Sequence, residues 1–325
     1  MKNHHHEALR GHIERDAFKP ETRNAWRESH RYQEALKAHH ANCNDRGALL
    51  ETITTLIQKM EKGFSYFSQD RNTRILDIGC GTGEVSSMVL ARLCLFTSLD
   101  YIGIDKSEDV LKSAKKRIEE SVSPNAFISL LQKDFGARDW ADSGPLREKP
   151  FQMIWLFHSG YYLDDGHRPF MEKLEGLTDA RGMIIFLHNP EGNDPYRAAA
   201  KELGMKAYGI EYRREIKLPC LQPAVFDALR EDPGDLDAFT RRFAEYPEAR
   251  SLRLLLEFYL PDYPLEALSH YDRSLYVTNW QRHIRAENGR FSNVHEMLLV
   301  LPRHHAADVR EGMDSSFERM FQHEG

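Results

Sequence analysis

The chain has 325 residues, 41% of them hydrophobic and 29% charged, with a formal net charge of -6. That balance excludes a disordered or fibrous chain and suits one elaborated α/β domain. With no basic arm or stripe, it also excludes a nucleic-acid partner. The four cysteines (Cys43, Cys80, Cys94 and Cys220) are scattered with no CxxC pair. A disulfide framework or metal site is therefore not expected, and a reducing, cytoplasmic compartment is. The opening MKNHHHEALRGHIERD lacks the apolar core of a signal peptide, and its histidines read as a solvated terminus. No apolar run approaches the roughly 20 residues that cross a bilayer.

In chain order, AWRESHRYQEALKAHH and RGALLETITTLIQKMEKGF carry apolar residues at helical spacing, with a break near Asn42–Arg46. Five apolar runs then alternate with helical patterns. The runs are RILDIG (74–79), LDYIGID (99–105), AFISLLQKD (126–134), FQMIWLF (151–157) and GMIIFLH (182–188). The helical patterns cover 82–93, 107–120, 167–179 and 194–203, and Asp134–Pro150 reads as a loop or a short helix. Such alternation predicts a parallel, doubly wound sheet, whose ligands bind beyond the carboxyl ends of the strands. Past Met205, EYRREIKLPC reads as a strand or an extended connection, and 223–231 and 235–246 read as helices. The stretch 249–260 is ambiguous, 264–286 is helical, and SNVHEMLLVLP (292–302) is a closing strand. No linker rich in Gly, Ser or Pro separates two units, so a single domain is expected. Its parts are a flexible 1–20, a helical cap over 21–66, a core over 70–205, an insertion with the closing strand over 206–302, and a tail.

The stretch RILDIGCGTGEVS places Gly79, Gly81 and Gly83 directly between a strand and a helix. One reading is a tight turn. The other is a loop that a ligand presses against, because glycine permits positive φ and close approach to the backbone. A P-loop needs Gly-Lys-Ser/Thr at its end, but Gly83 is followed by Glu84 and Val85. The dinucleotide fingerprint G-x-G-x-x-G fails as well, since position 84 is Glu. Asp77 in the preceding strand suits a cationic ligand and repels a pyrophosphate, which points to S-adenosylmethionine.

On DIGCGTG, and on YIGIDKS and LLQKDF after the next two strands, the chain resembles the class I S-adenosylmethionine-dependent methyltransferases over roughly 74–190. The resemblance implies a seven-stranded, mostly parallel Rossmann-like sheet with S-adenosyl-L-methionine as cofactor and S-adenosylhomocysteine as product. Asp105 would hold the ribose hydroxyls, since a carboxylate accepts from two vicinal hydroxyls. Lys106 would lie beside it. Asp134 and Phe135 would meet the adenine, and Phe157 would close the fourth strand against the cofactor. The Asn/Asp-Pro-Pro-Tyr/Phe motif of DNA-base and protein-glutamine methylation is replaced here by HSGYYLDD.

A closer likeness is carried by Trp26, RYQEAL, FHSGYYLDD, LLEFYL and RFSNVHEMLLVL, in which the chain resembles histamine N-methyltransferase and its relatives. It implies methyl transfer to a nitrogen of a small amine or imidazole, beneath a lid formed by the late insertion. His158 and Asn293 would orient the acceptor nitrogen. Tyr161, Tyr162, Trp26, Tyr32 and Phe258 would form an aromatic cage, and Asp45 would pair with the substrate ammonium. His158 stands where that family has glutamine, and Asp45 is one methylene short of the family's residue, which leaves histamine itself in question. Each residue also has a plainer reading. Asp45 is a natural helix N-cap, Trp26 and Tyr32 can be core, Tyr161 and Tyr162 rim, and Asn293 and His158 backbone caps. The open alternatives are an O-methyltransferase, an N-methyltransferase of a larger natural product, and a cofactor-binding protein without catalysis. Oligomeric state is not legible, though a monomer suffices.

Overall fold

In β1 (Asn72–Ile78) every residue after Asn72 is buried, the signature of a strand covered on both faces. The computed structural model describes residues 30–64, 66–67, 72–124, 126–142, 144–160, 163, 166–188, 194–217, 251–256, 271, 275–278, 280–282, 290–304 and 311–312. Around β1 the chain lays down β2 (Ser98–Asp105), β3 (Phe127–Gln132), β4 (Phe151–Phe157), β5 (Thr178–His188), β6 (Lys206–Lys217) and β7 (Arg290–Leu301). The sheet has seven strands in the order β3-β2-β1-β4-β5-β7-β6. The first five in that order are mutually parallel, and β7 runs antiparallel to β5. Strand order reverses between β1 and β4, so a crevice is expected beyond their carboxyl ends.

Side chains alternate across the sheet. Ile75, Tyr101, Trp155, Ile185 and Leu299 enter one core, shared with α2 (Asp45–Phe64), α3 (Glu84–Leu93) and α4 (Glu108–Ser121). Leu76, Ile102, Ile154, Ile184 and Val300 enter the other, shared with α5 (His167–Leu177) and α6 (Pro195–Glu202). The helix starts follow from sequence: the Ser107 hydroxyl caps α4, and the Asp194 carboxylate accepts from Tyr196 N–H at 2.9 Å with Pro195 in the first turn of α6. The 134–150 stretch is turns and one short 3-10 helix, Gly144–Arg147.

The chain divides into two compact units, Met1–Asp45 with Arg214–Asn293 and Arg46–Arg213 with Val294–Gly325. The first holds α1 (His30–Asn42). There Asn44 N–H donates to Glu215 O at 3.0 Å and Asn44 Oδ1 accepts from Glu215 N–H at 2.6 Å. Its residues 251–256 and 275–278 are helical, and the Tyr276 hydroxyl donates to Leu256 O at 2.7 Å. The second unit holds the glycine loop. Among the described residues no helix is long and apolar enough to cross a membrane, and no group of three His, Cys, Asp or Glu side chains is placed to hold a metal.

Candidate cofactor and active site

The glycine loop leaves β1 with φ of 70° at Gly79, 55° at Gly81 and 69° at Gly83, left-handed values that glycine adopts without a Cβ clash. Gly79 N–H (2.8 Å) and Cys80 N–H (3.0 Å) both donate to Ile104 O, which staples the loop to the end of β2. The glycines have different neighbours. A Cβ on Gly79 would strike the Ser159 side chain and come within 3.4 Å of the Phe135 ring, whereas one on Gly81 would meet nothing within 4 Å among the described residues. Gly83 precedes α3 and gives it no side-chain cap. The plain tight turn thus accounts for Gly79, while at Gly81 the chain leaves space.

Beneath the loop, Asp77 is 1% exposed. Its Oδ2 accepts from the Ser86 hydroxyl in α3 and from the Tyr101 hydroxyl at 2.7 Å. Asp77 pairs in register with Gly103 of β2. A Cβ there would fall 3.0 Å from the Tyr101 oxygen and 3.1 Å from Cys80 Sγ, so the bare backbone at Gly103 gives the phenol its path to Asp77. Asp77 Oδ1 is buried with no hydrogen-bond partner among the described residues. Burial pushes the Asp77 carboxyl up to about 6, against the two hydroxyls that pull it down and with the help of the Asp105 charge. Burial and the same two carboxylates drive the Cys80 thiol far up, away from the reactive thiolate form.

Asp105 ends β2 and is half-buried. Its Oδ2 accepts from Gly81 N–H at 3.1 Å and its Oδ1 from Ser107 N–H at 3.0 Å. Each oxygen keeps a lone pair, and the group is fixed by the loop it serves. Lys106 follows, exposed, its carbonyl accepting from Gln132 Nε2 at 3.1 Å. Asp134 is exposed and turns back to accept from Gly136 N–H at 2.9 Å. Phe135 is half-buried against Gly79 and tilts over Phe170 at 6.2 Å. Phe157 is buried and stacked on Trp155, ring centroids 5.1 Å apart.

β4 ends at Phe157, and the next residue, His158, has a φ of 57°, the non-glycine positive φ among the described residues. Left-handed backbone costs a side-chain-bearing residue about 1–2 kcal/mol, and such strain concentrates at functional sites. Ser159 anchors the turn: its hydroxyl donates to Ile78 O at 2.5 Å while its side chain fills the space over Gly79. His158 is thereby joined to the glycine loop through one residue.

The second unit therefore brings together Asp77, the three glycines, Asp105, Lys106, Phe135, Phe157 and His158. Trp26, Tyr161, Tyr162 and Phe258 lie outside the described residues. Tyr32 is partly buried in α1, Asp45 is the first residue of α2, and Asn293 lies in β7; the side chains of Asp45 and Asn293 are likewise outside the described set. Sequence reasoning missed Ser86, Tyr101, Gly103 and Ser159. A carboxylate inside an apolar strand was the available signal, because a buried acid needs donors from its neighbours.

The residues fit a nucleoside that carries positive charge. Two carboxylates flank the loop, one with an oxygen still to satisfy, and a pyrophosphate would meet repulsion. Residues 69–154 match the family model described as "Methyltransferase domain". No curated protein matches the chain at a significant level. Among solved structures, the YcgJ protein of Bacillus subtilis is 12% identical with a TM-score of 0.43, covering 78% of this chain and 99% of its own. The cyclopropane synthase MmaA2 of Mycobacterium tuberculosis is 13% identical with a TM-score of 0.38, covering 75% and 84%. The magnesium protoporphyrin IX methyltransferase of Synechocystis, solved with bound S-adenosylmethionine, is 14% identical with a TM-score of 0.37, covering 60% and 86%. Those likenesses decide nothing about the acceptor. Strand order, glycine loop, flanking carboxylates and the domain match over residues 69–154 agree in describing a Rossmann-like methyltransferase fold.

Proposed function

We propose that the protein transfers a methyl group to a nitrogen of a small amine or imidazole. The observation that carries the reading is the placement of His158, strained at the carboxyl end of β4 and tied through Ser159 to the loop at Gly79. S-adenosylmethionine supplies an activated methyl on a sulfonium. The acceptor nitrogen forms the new C–N bond as the C–S bond breaks, and its proton leaves. An amine or imidazole needs alignment and exclusion of water more than a strong base.

Asp77 Oδ1 would meet the cofactor's ammonium, the Gly81 backbone would let the nucleoside approach, and Asp105 would accept from its ribose. Asp134 and Phe135 border the adenine, with Lys106 and Phe157 beside the cofactor. His158 orients the acceptor nitrogen and takes its proton directly or through water. By resemblance Asn293 shares that task, Trp26, Tyr32, Tyr161, Tyr162 and Phe258 form the cage, and Asp45 pairs with the substrate ammonium.

The test is turnover by purified protein of a panel of amines, imidazoles, phenols and carboxylates with S-adenosylmethionine, read by product mass. Methylated imidazoles or amines support the reading, and reaction only at oxygen overturns it. His158→Ala lowers kcat about 100-fold while leaving cofactor affinity within about twofold, the scale of a lost general base. An unchanged rate removes His158 from the mechanism.

A further inference from the structure

While Leu298 and Val300 of β7 face the second core, the residues of that strand that face the first are Met297, Leu299 and Leu301, all fully buried. At the next position of that series stands His295, 3% exposed. Pairing between β5 and β7 reaches His188 with Glu296, so His295 lies one residue beyond the carboxyl end of β5. It is therefore at the same edge of the sheet as His158. The two imidazole rings are 6.4 Å apart at 64°, an edge-on arrangement, and the Tyr212 ring of β6 lies 5.7 Å beyond His295 at 53°. Both ring nitrogens of His295, and Nε2 of His158, are closed off from solvent.

An apolar side chain at position 295 would continue the series with less desolvation. The imidazole is kept where one neighbour is the ring that faces the reaction. His158 sits on a turn rather than in a strand, and Ser159 fixes its backbone but not its ring. Productive alignment tolerates about 0.5 Å and 10–20°, and the His295 ring stands edge-on beside the His158 ring as a wall. Among the described residues no third His, Cys, Asp or Glu joins the pair.

We infer that His295 is a positioning residue for methyl transfer, holding the His158 ring by edge-on contact with Tyr212 as its backing. The inference rests on the reading of His158 as the group that orients the acceptor. A further consequence concerns the acceptor itself: a ring braced in one plane favours a flat nitrogen heterocycle over a flexible alkylamine.

The experiment compares His295→Leu, which fills the volume without a ring, with His295→Phe, which restores a planar ring without nitrogens, in the full chain. Three quantities are read: S-adenosylmethionine affinity by calorimetry, the imidazole NMR signals of His158 assigned by their loss in His158→Ala, and kcat and KM with histamine as the probe. His295→Leu should displace the His158 signals and lower kcat about 10–100-fold, the scale of a misplaced reacting group, with cofactor affinity unchanged. His295→Phe should recover most of that loss. Undisplaced His158 signals in the leucine variant, or equal losses in both variants, overturn the inference. Should the wild-type protein methylate no imidazole or amine, the acceptor reading falls, and the His158 signals still decide the role of His295. Should either variant fail to fold, the other, compared with wild type by the same signals, decides the question.

Discussion

Arg74 and Asp77 stand three residues apart on β1, both charged and both buried, at 6% and 1% exposure. At the amino end, the Arg74 guanidinium donates from Nε to Asp100 at 2.9 Å, from Nη2 to Pro145 O at 2.6 Å and from Nη1 to Lys149 O, and it lies 4.5 Å above the Phe151 ring. It ties β1, β2 and the entry to β4 together. At the carboxyl end, Asp77 satisfies one oxygen with two hydroxyls and leaves the other without a partner among the described residues. A buried charge whose bonds are complete belongs to the scaffold, since nothing further is asked of it. A buried charge left half-satisfied on rigid elements is a site, provided a cation arrives to complete it.

The sharpest way to break that comparison is Arg74→Ala. Removing one member of a buried charged network costs about 3–5 kcal/mol, with the low end favoured because Asp100 keeps a third of its side chain in water. Denaturant unfolding should show that loss, while calorimetry on the folded fraction should find S-adenosylmethionine affinity within about twofold. A collapse of affinity in folded protein would mean that the two ends of β1 are not separable.

Asp77→Asn should do the reverse. An asparagine oxygen still accepts from Ser86 and Tyr101, but the charge is gone, and a charge-assisted bond of about 1.5–3 kcal/mol goes with it. Cofactor affinity should fall about 10–100-fold. Stability should rise, and the sign follows from linkage. The folded-state carboxyl lies at about 6, above its ordinary 3.8, so the fold holds this proton more tightly than the unfolded chain does. The destabilisation is fully present above pH 6 and is relieved as pH falls from 6 towards 4. At pH 7 to 8 the asparagine variant should therefore gain on the order of 2–3 kcal/mol, and the gain should vanish near pH 4. A variant that loses affinity and stability together would make Asp77 scaffold after all.

The sequence made the loop and the strands legible because both are written in local residue choices. FQMIWLF is β4 residue for residue, and three alternate glycines can be read as positive φ without knowing their neighbours. β5 begins at Thr178, earlier than its apolar run, because α5 stops at Leu177 and TDAR is drawn into the sheet by pairing of Phe151 with Thr178. EYRREIK is a strand despite its charge because β6 is the sheet's edge, where polar residues deter further pairing. The partners of Asp77 were not legible. Tyr101 reaches it only because Gly103 lies in register beside it, and register is a property of two strands together. His295 was hidden for a similar reason, since its neighbour His158 is 137 positions away and only the sheet order brings them to one edge.

The finest version of the contrast lies within the loop, where scaffold and site are two residues apart. Gly79→Ala places a methyl into Ser159 and beside Phe135, in a left-handed conformation. The backbone strain costs about 1 kcal/mol and the overpacking about 1–3 more, so unfolding should move clearly. Gly81→Ala has the same left-handed cost, but its methyl enters open space. Stability should fall by only about 1 kcal/mol, while under the proposed function the methyl stands where the nucleoside would approach. Calorimetry should then show the larger loss of S-adenosylmethionine affinity at Gly81 and the larger loss of stability at Gly79. Equal effects on both quantities at both positions would mean that the loop is one rigid turn with no face reserved for the cofactor, because the two sites are contrasted by what lies within 4 Å of the added carbon.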